Sequence, residues 1–94
     1  LVKLNPGNVQ AMYNLGVAYL AVSELGKAKS AFERTVVSDP KSEQGWFNLA
    51  FVLEKLGEGA GAISASQRLV ELNPSNAEFQ VRLKDLRKKF GGAG

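Results

Sequence analysis

The 94 residues leave room for one small domain, since independent folding units usually hold about 100–150 residues. Apolar residues make up 45% and charged residues 22%, evenly spread, which argues against a disordered chain, and no run nears the ~18 consecutive apolar residues of a membrane-spanning helix. The net charge of +3 demands no polyanionic partner, and the lack of Cys and His removes disulfides, the usual zinc, haem and iron–sulfur ligands, the thiol nucleophile and the imidazole base.

In chain order, Leu1-Val2-Lys3-Leu4 runs into Asn5-Pro6 as a helix end does, so residues 1–8 are expected to be the tail of a preceding unit in a longer protein. No basic segment followed by an apolar core opens the chain. Its compartment is left open, with a cytoplasmic setting as the default. Val9, Met12, Leu15, Gly16 and Tyr19 then recur at helical spacing behind Asn8, a residue suited to N-capping, and predict a helix from about Asn8 to Val22. Gly26 is expected to loosen the turn that follows. Ala28, Ala31, Phe32, Thr35 and Val36 mark the inner stripe of a second helix, which Pro40 stops because proline disfavours helical geometry in the residue before it. Trp46, Leu49, Ala50, Leu53 and Leu56 predict a third helix, Gly57 a turn, and Ala62, Ile63, Ser66, Leu69 and Val70 a fourth. Over residues 77–90, Phe79, Leu83, Leu86 and Phe90 form a single apolar stripe, with Glu78, Arg82, Lys84, Asp85, Lys88 and Lys89 around the rest. This reads as a one-faced capping helix, and 91–94 as a Gly-rich tail that ends it.

The chain repeats itself. Its only prolines, Pro6, Pro40 and Pro74, stand 34 residues apart, and that shift also aligns Asn14 with Asn48, Leu15 with Leu49, Glu24 with Glu58, Ala28 with Ala62, Ala31 with Ala65 and Arg34 with Arg68. Met12, Leu15-Gly16, Tyr19, Ala28, Phe32 and Pro40, and again Trp46, Leu49-Ala50, Leu53, Ala62, Ser66 and Pro74, resemble the tetratricopeptide repeat, departing from it at Leu53 and Ser66. The resemblance implies an all-α superhelix, or solenoid, of two full helix-turn-helix repeats, 9–42 and 43–76, followed by the capping helix. Small residues at Gly16 or Ala50 and at Ala28 or Ala62 would let helices approach closely.

Three chemical readings are set aside. Gly57-Glu58-Gly59-Ala60-Gly61 opens a helix as phosphate-binding loops do, but it follows a helix and lacks the Lys-Ser/Thr ending, so an interhelix turn is expected. Gly59, where the family usually carries a bulky residue, should leave that turn loosely packed. Without His, a serine nucleophile would need a lysine base, and no recognisable Ser–Lys motif is present, so no enzyme activity and no cofactor are expected. Arg82, Lys84, Arg87, Lys88 and Lys89 make the last helix basic, yet no aromatic residue interleaves them to stack bases; a solvated cap is expected rather than a nucleic-acid surface.

In the resembled family the first helix of each pair lines a concave side that takes an extended peptide or a partner's helix. Helical spacing places Gln10, Tyr13, Asn14 and Val17, then Gln44, Phe47, Asn48, Phe51 and Lys55, then Glu78, Val81, Arg82 and Asp85 away from the packing stripe. Tyr13, Val17, Phe47 and Phe51 are expected to form an apolar floor. Asn14 and Asn48 could each clamp a backbone amide of an extended peptide, because a side-chain amide both donates and accepts; this resembles the asparagine ladder in the repeats of the O-linked sugar transferase. The cochaperone carboxylate clamp is matched only by Asn48 and Arg82, since Tyr13 and Val17 stand where Lys and Asn are expected and Glu78 where another Lys is. The expectation is a non-catalytic module that binds a protein or peptide partner through Gln10, Tyr13, Asn14, Val17, Gln44, Phe47, Asn48, Phe51, Lys55 and Arg82. The alternative is a self-association segment of a larger scaffold, since two full repeats fall short of the three or so that bury a continuous core.

Overall fold

The computed structural model describes residues 8–91; all of the expected 1–8 tail of a preceding unit except Asn8, and residues 92–94, lie outside them. Five helices follow one another, α1 (Val9–Ala21), α2 (Leu25–Ser38), α3 (Glu43–Lys55), α4 (Gly59–Leu72) and α5 (Ala77–Phe90), with no strand among the described residues. Helices α1, α3 and α5 each start on a side-chain cap. Asn8 Oδ1 accepts from the Ala11 amide at 3.0 Å, Ser42 Oγ from Gly45 at 3.0 Å, and Asn76 Oδ1 from Glu78 and Phe79 at 2.9 and 3.3 Å. Each satisfies backbone donors that the first helical turn leaves without partners.

Helices α2 and α4 begin after Glu24 and Glu58, which make no capping hydrogen bond. The Glu58 carboxylate instead accepts from Lys29 Nζ of α2 at 2.8 Å, binding the first helix pair to the second. That bond raises the Lys29 ammonium above its ordinary pKa.

The turn within each pair places one residue in the left-handed region, Ser23 (φ 62°) in the first and Gly57 (φ 77°) in the second. Gly57 turns the chain as expected. Gly26 does not: it lies inside the first turn of α2, and Ser23, one period before Gly57, takes the left-handed position.

Each helix packs on its neighbour in sequence, α1 on α2, α2 on α3, α3 on α4 and α4 on α5. Phe32, Val52 and Leu69 are wholly buried, each apolar side chain contributing roughly 1.5–3 kcal/mol on removal from water. Phe32 reaches α1 because Gly16 has no side chain, as a Cβ there would lie 2.6 Å from its ring. Gly45 serves the junction between pairs in the same way, its missing Cβ leaving room for the Thr35 and Val36 methyls at 2.9 and 3.0 Å. The Thr35 hydroxyl, fully buried, donates back to the Ala31 carbonyl at 2.9 Å.

Three packing expectations are corrected. Leu15 is 40% exposed although its counterpart Leu49 is 5% exposed, because α2 lies against α3 while no described helix precedes α1. Leu56 is the C-cap of α3, where the helix ends, and stands exposed outside the stripe. Gly59 is not loosely packed. The Phe90 ring of α5 covers it so closely that a Cβ would overlap, at 2.4 Å, so the bulky group at this point comes from the last helix rather than from the turn.

Candidate functional site

The face built by α1, α3 and α5 carries two adjoining depressions. One, of about 350 Å³, is lined by Tyr13 of α1, by Glu43, Gln44, Phe47 and Asn48 of α3, and by Phe79 of α5. The other, of about 400 Å³, lies between Glu54 of α3 and Glu78, Val81, Arg82, Asp85, Leu86 and Lys89 of α5.

The two asparagines, one period apart, are used differently. The Asn48 amide nitrogen donates to the Tyr13 hydroxyl at 2.9 Å and to the Gln44 carbonyl at 3.1 Å, which occupies both of its hydrogens and presents Oδ1 as the free acceptor. Asn14 is exposed, and its Oδ1 accepts from Gln10 Nε2 at 3.0 Å, leaving its amide hydrogens as donors. A clamp by two equivalent amides is therefore not what the geometry offers. It offers a donor at Asn14 and an acceptor at Asn48.

The apolar floor is likewise only part of what was expected. Tyr13 is half-buried, its ring 5.8 Å from that of Phe32. Phe47 is half-buried between Phe79, at 6.3 Å between centroids, and the Arg82 guanidinium, 4.8 Å above its ring. Phe47 thus helps join α3 to α5 as well as lining a depression. Phe51 is half-buried with Lys55 Nζ 5.4 Å from its ring, and Val17 is exposed on α1. The structure brings Tyr13, Gln44, Phe47 and Asn48 together in one depression and sets Arg82 at the edge of the second; neither depression includes Gln10, Asn14, Val17, Phe51 or Lys55 among its walls.

Glu54 organises the second depression. It accepts from Lys89 Nζ at 3.1 Å and sits 3.8 Å from Arg82. Arg82 is held by its stacking on Phe47 and by that ion pair, yet its Nε is buried without a hydrogen-bond partner. Glu54, Phe79 and Lys89 are absent from the site expected from sequence. A signal for Glu54 exists, because one period earlier its counterpart is the apolar Leu20, and an acid replacing an apolar residue marks a position that changed environment.

Two family models, each described as a tetratricopeptide repeat, match residues 10–42 and 43–76. The chain belongs to the tetratricopeptide-repeat family. Its fold is the all-α superhelix of that family. A solved structure of MamA is similar, with 26% identity and a TM-score of 0.82 over 93% of this chain and 51% of the MamA chain, so the chain spans about half the length of that protein. No curated protein matches it in sequence. Tetratricopeptide repeats generally serve as non-catalytic modules for protein–protein interaction. No described helix is long and apolar enough to cross a membrane.

Proposed function

We propose that this repeat array holds an extended segment of a partner protein along the face of α1, α3 and α5. The observation that carries this reading is the row formed by the Asn14 amide donor, the Tyr13–Asn48 hydrogen bond with its free Asn48 acceptor, and the Phe47–Arg82 stack beside it. An extended chain exposes alternating N–H and C=O groups, so a donor and an acceptor on neighbouring helices suit its backbone, while the two depressions accept side chains. The aromatic and guanidinium planes are of the kind that dominates interface energetics.

Random-peptide display on the folded chain tests the reading. Peptides selected by the wild type are expected to lose at least tenfold in affinity for Asn14→Ala and for Asn14→Ala/Asn48→Ala; the first should leave the thermal transition nearly unchanged, and the second should lower it through loss of the Asn48–Tyr13 hydrogen bond between α1 and α3. Phe47→Ser is less discriminating, because it also removes a contact between α3 and α5. Selected peptides that bind every one of these variants as tightly as the wild type would place the site elsewhere. The competing reading, self-association, predicts sedimentation that changes with concentration and a dimer that blocks the selected peptide.

A further inference from the structure

The charges around the 400 Å³ depression between α3 and α5 are not equally engaged. Glu54 of α3 takes up both cations, Lys89 through a hydrogen bond of 3.1 Å and Arg82 at 3.8 Å. Arg82 is held further by stacking over the Phe47 ring, and its Nε is buried, so that atom offers an incoming anion no open donor. The acids of α5 are in the opposite state. Glu78 and Asp85, two helical turns apart, are exposed, and among the described residues neither carboxylate has a hydrogen bond or an ion pair. Asp85 stands three residues after Arg82 and four before Lys89, spacings at which a helix brings opposite charges together. Both cations turn to Glu54 instead. Between the two free acids the helix presents Val81, 56% exposed.

We propose that this depression receives a lysine or arginine side chain of the bound segment, with its methylenes against Val81 and its cationic head at the Glu78 and Asp85 carboxylates. The proposal rests on the peptide-binding reading above and adds to it what the partner must carry. Charge decides the occupant. Three carboxylates line the space against two cations, and Glu54 already engages both of those. An entering cation therefore meets two unpaired acids, whereas an acidic side chain would have to displace Glu54 and lie beside Glu78 and Asp85. An apolar side chain could use Val81 but would strip water from the carboxylates without replacing it. A long cationic side chain suits the wall, because its stem and head favour different surroundings. The free acids belong to this end of the face alone: one period earlier the same steps of the repeat hold Gln44 and Phe51.

Display-selected peptides that lose affinity for Asn14→Ala are the probes, used with the full chain. Each basic residue of such a peptide is exchanged for Glu in turn, and binding is measured to wild type and to Glu78→Gln/Asp85→Asn. One basic position is expected whose exchange weakens binding to wild type by about tenfold or more, and to the double variant by less than about twofold. Glu78 and Asp85 are exposed, so the double variant should melt close to wild type. Should the first turn of α5 loosen without Glu78, Asp85→Asn alone serves, with a smaller but measurable loss of discrimination. Asn14-dependent peptides that show no such basic position would overturn the proposal and leave the peptide-binding reading standing. An acidic peptide position whose contribution vanishes in Arg82→Gln or Lys89→Gln would overturn it in favour of an anion. Peptides indifferent to Asn14→Ala would overturn both readings.

Discussion

The indole Nε1 of Trp46 donates to the carbonyl oxygen of Pro40 at 2.7 Å, across the turn that leads from the first repeat into the second. One period later Gln80 Nε2 bonds the carbonyl of Pro74 in the same way. Pro40 and Pro74 lie in the turns just past α2 and α4, outside the helical ladder; the residue six positions on returns to satisfy the proline carbonyl. Trp46 also packs on the core cluster with its ring only half-buried.

Trp46→Phe keeps most of that packing and removes the donor. The expected loss is about 1 kcal/mol, the worth of one ordinary hydrogen bond, read as a lower melting temperature in thermal denaturation. Trp46→Ala should lose more, through the cavity it leaves.

Two glycines of neighbouring helices should respond in opposite directions to alanine. At Gly26 a Cβ meets nothing within 4 Å, and the residue is helical, so Gly26→Ala is expected to raise stability by about 0.5–1 kcal/mol through lower entropy of the unfolded chain. At Gly16 a Cβ meets the Phe32 ring at 2.6 Å, and Gly16→Ala should cost roughly 1–3 kcal/mol by forcing the most buried aromatic ring from its place. Denaturant titrations of both variants check the pair, and equal shifts would contradict the packing described.

Ser66 is completely buried and its hydroxyl has no partner. A buried hydroxyl without a hydrogen bond costs about 1–3 kcal/mol. Ser66→Ala should therefore stabilise the fold, with a higher denaturant midpoint and an unchanged slope.

The Lys29–Glu58 pair gives a pH dependence of definite sign. The pKa of Lys29 is raised in the folded chain, so the stability contributed by the pair is fully present below the unfolded lysine pKa and is lost as pH rises through the folded one. Wild type should melt above Glu58→Gln at neutral pH, and the difference should close once the pH has risen past the raised lysine pKa of the folded chain. A difference that widened with pH would contradict the assignment.

The repeat was legible because the residues that end and start helices recur with it. Pro6, Pro40 and Pro74 share the period of Asn8, Ser42 and Asn76, the last three all observed as side-chain caps. What sequence could not show is how equivalent residues diverge. Leu15 and Leu49 are the same residue at the same step of the repeat, yet burial depends on a neighbouring helix and not on the residue. Asn14 and Asn48 are likewise identical, but the Tyr13 hydroxyl reaches only Asn48 and fixes what its amide can offer. The first turn carries its left-handed residue at Ser23 rather than Gly26, because Ser23 holds the step of the repeat that Gly57 holds in the second.

Peptide capture along the face of α1, α3 and α5 is tested most directly by photo-crosslinking. A crosslinking amino acid is placed at Val17, exposed on α1, or at Val37, 79% exposed on α2, and each variant is irradiated with a display-selected peptide. The expected result is a covalent adduct from position 17 and none from position 37. Adducts from position 37 alone would contradict the account, because they would put the bound segment against the second helices of the repeats.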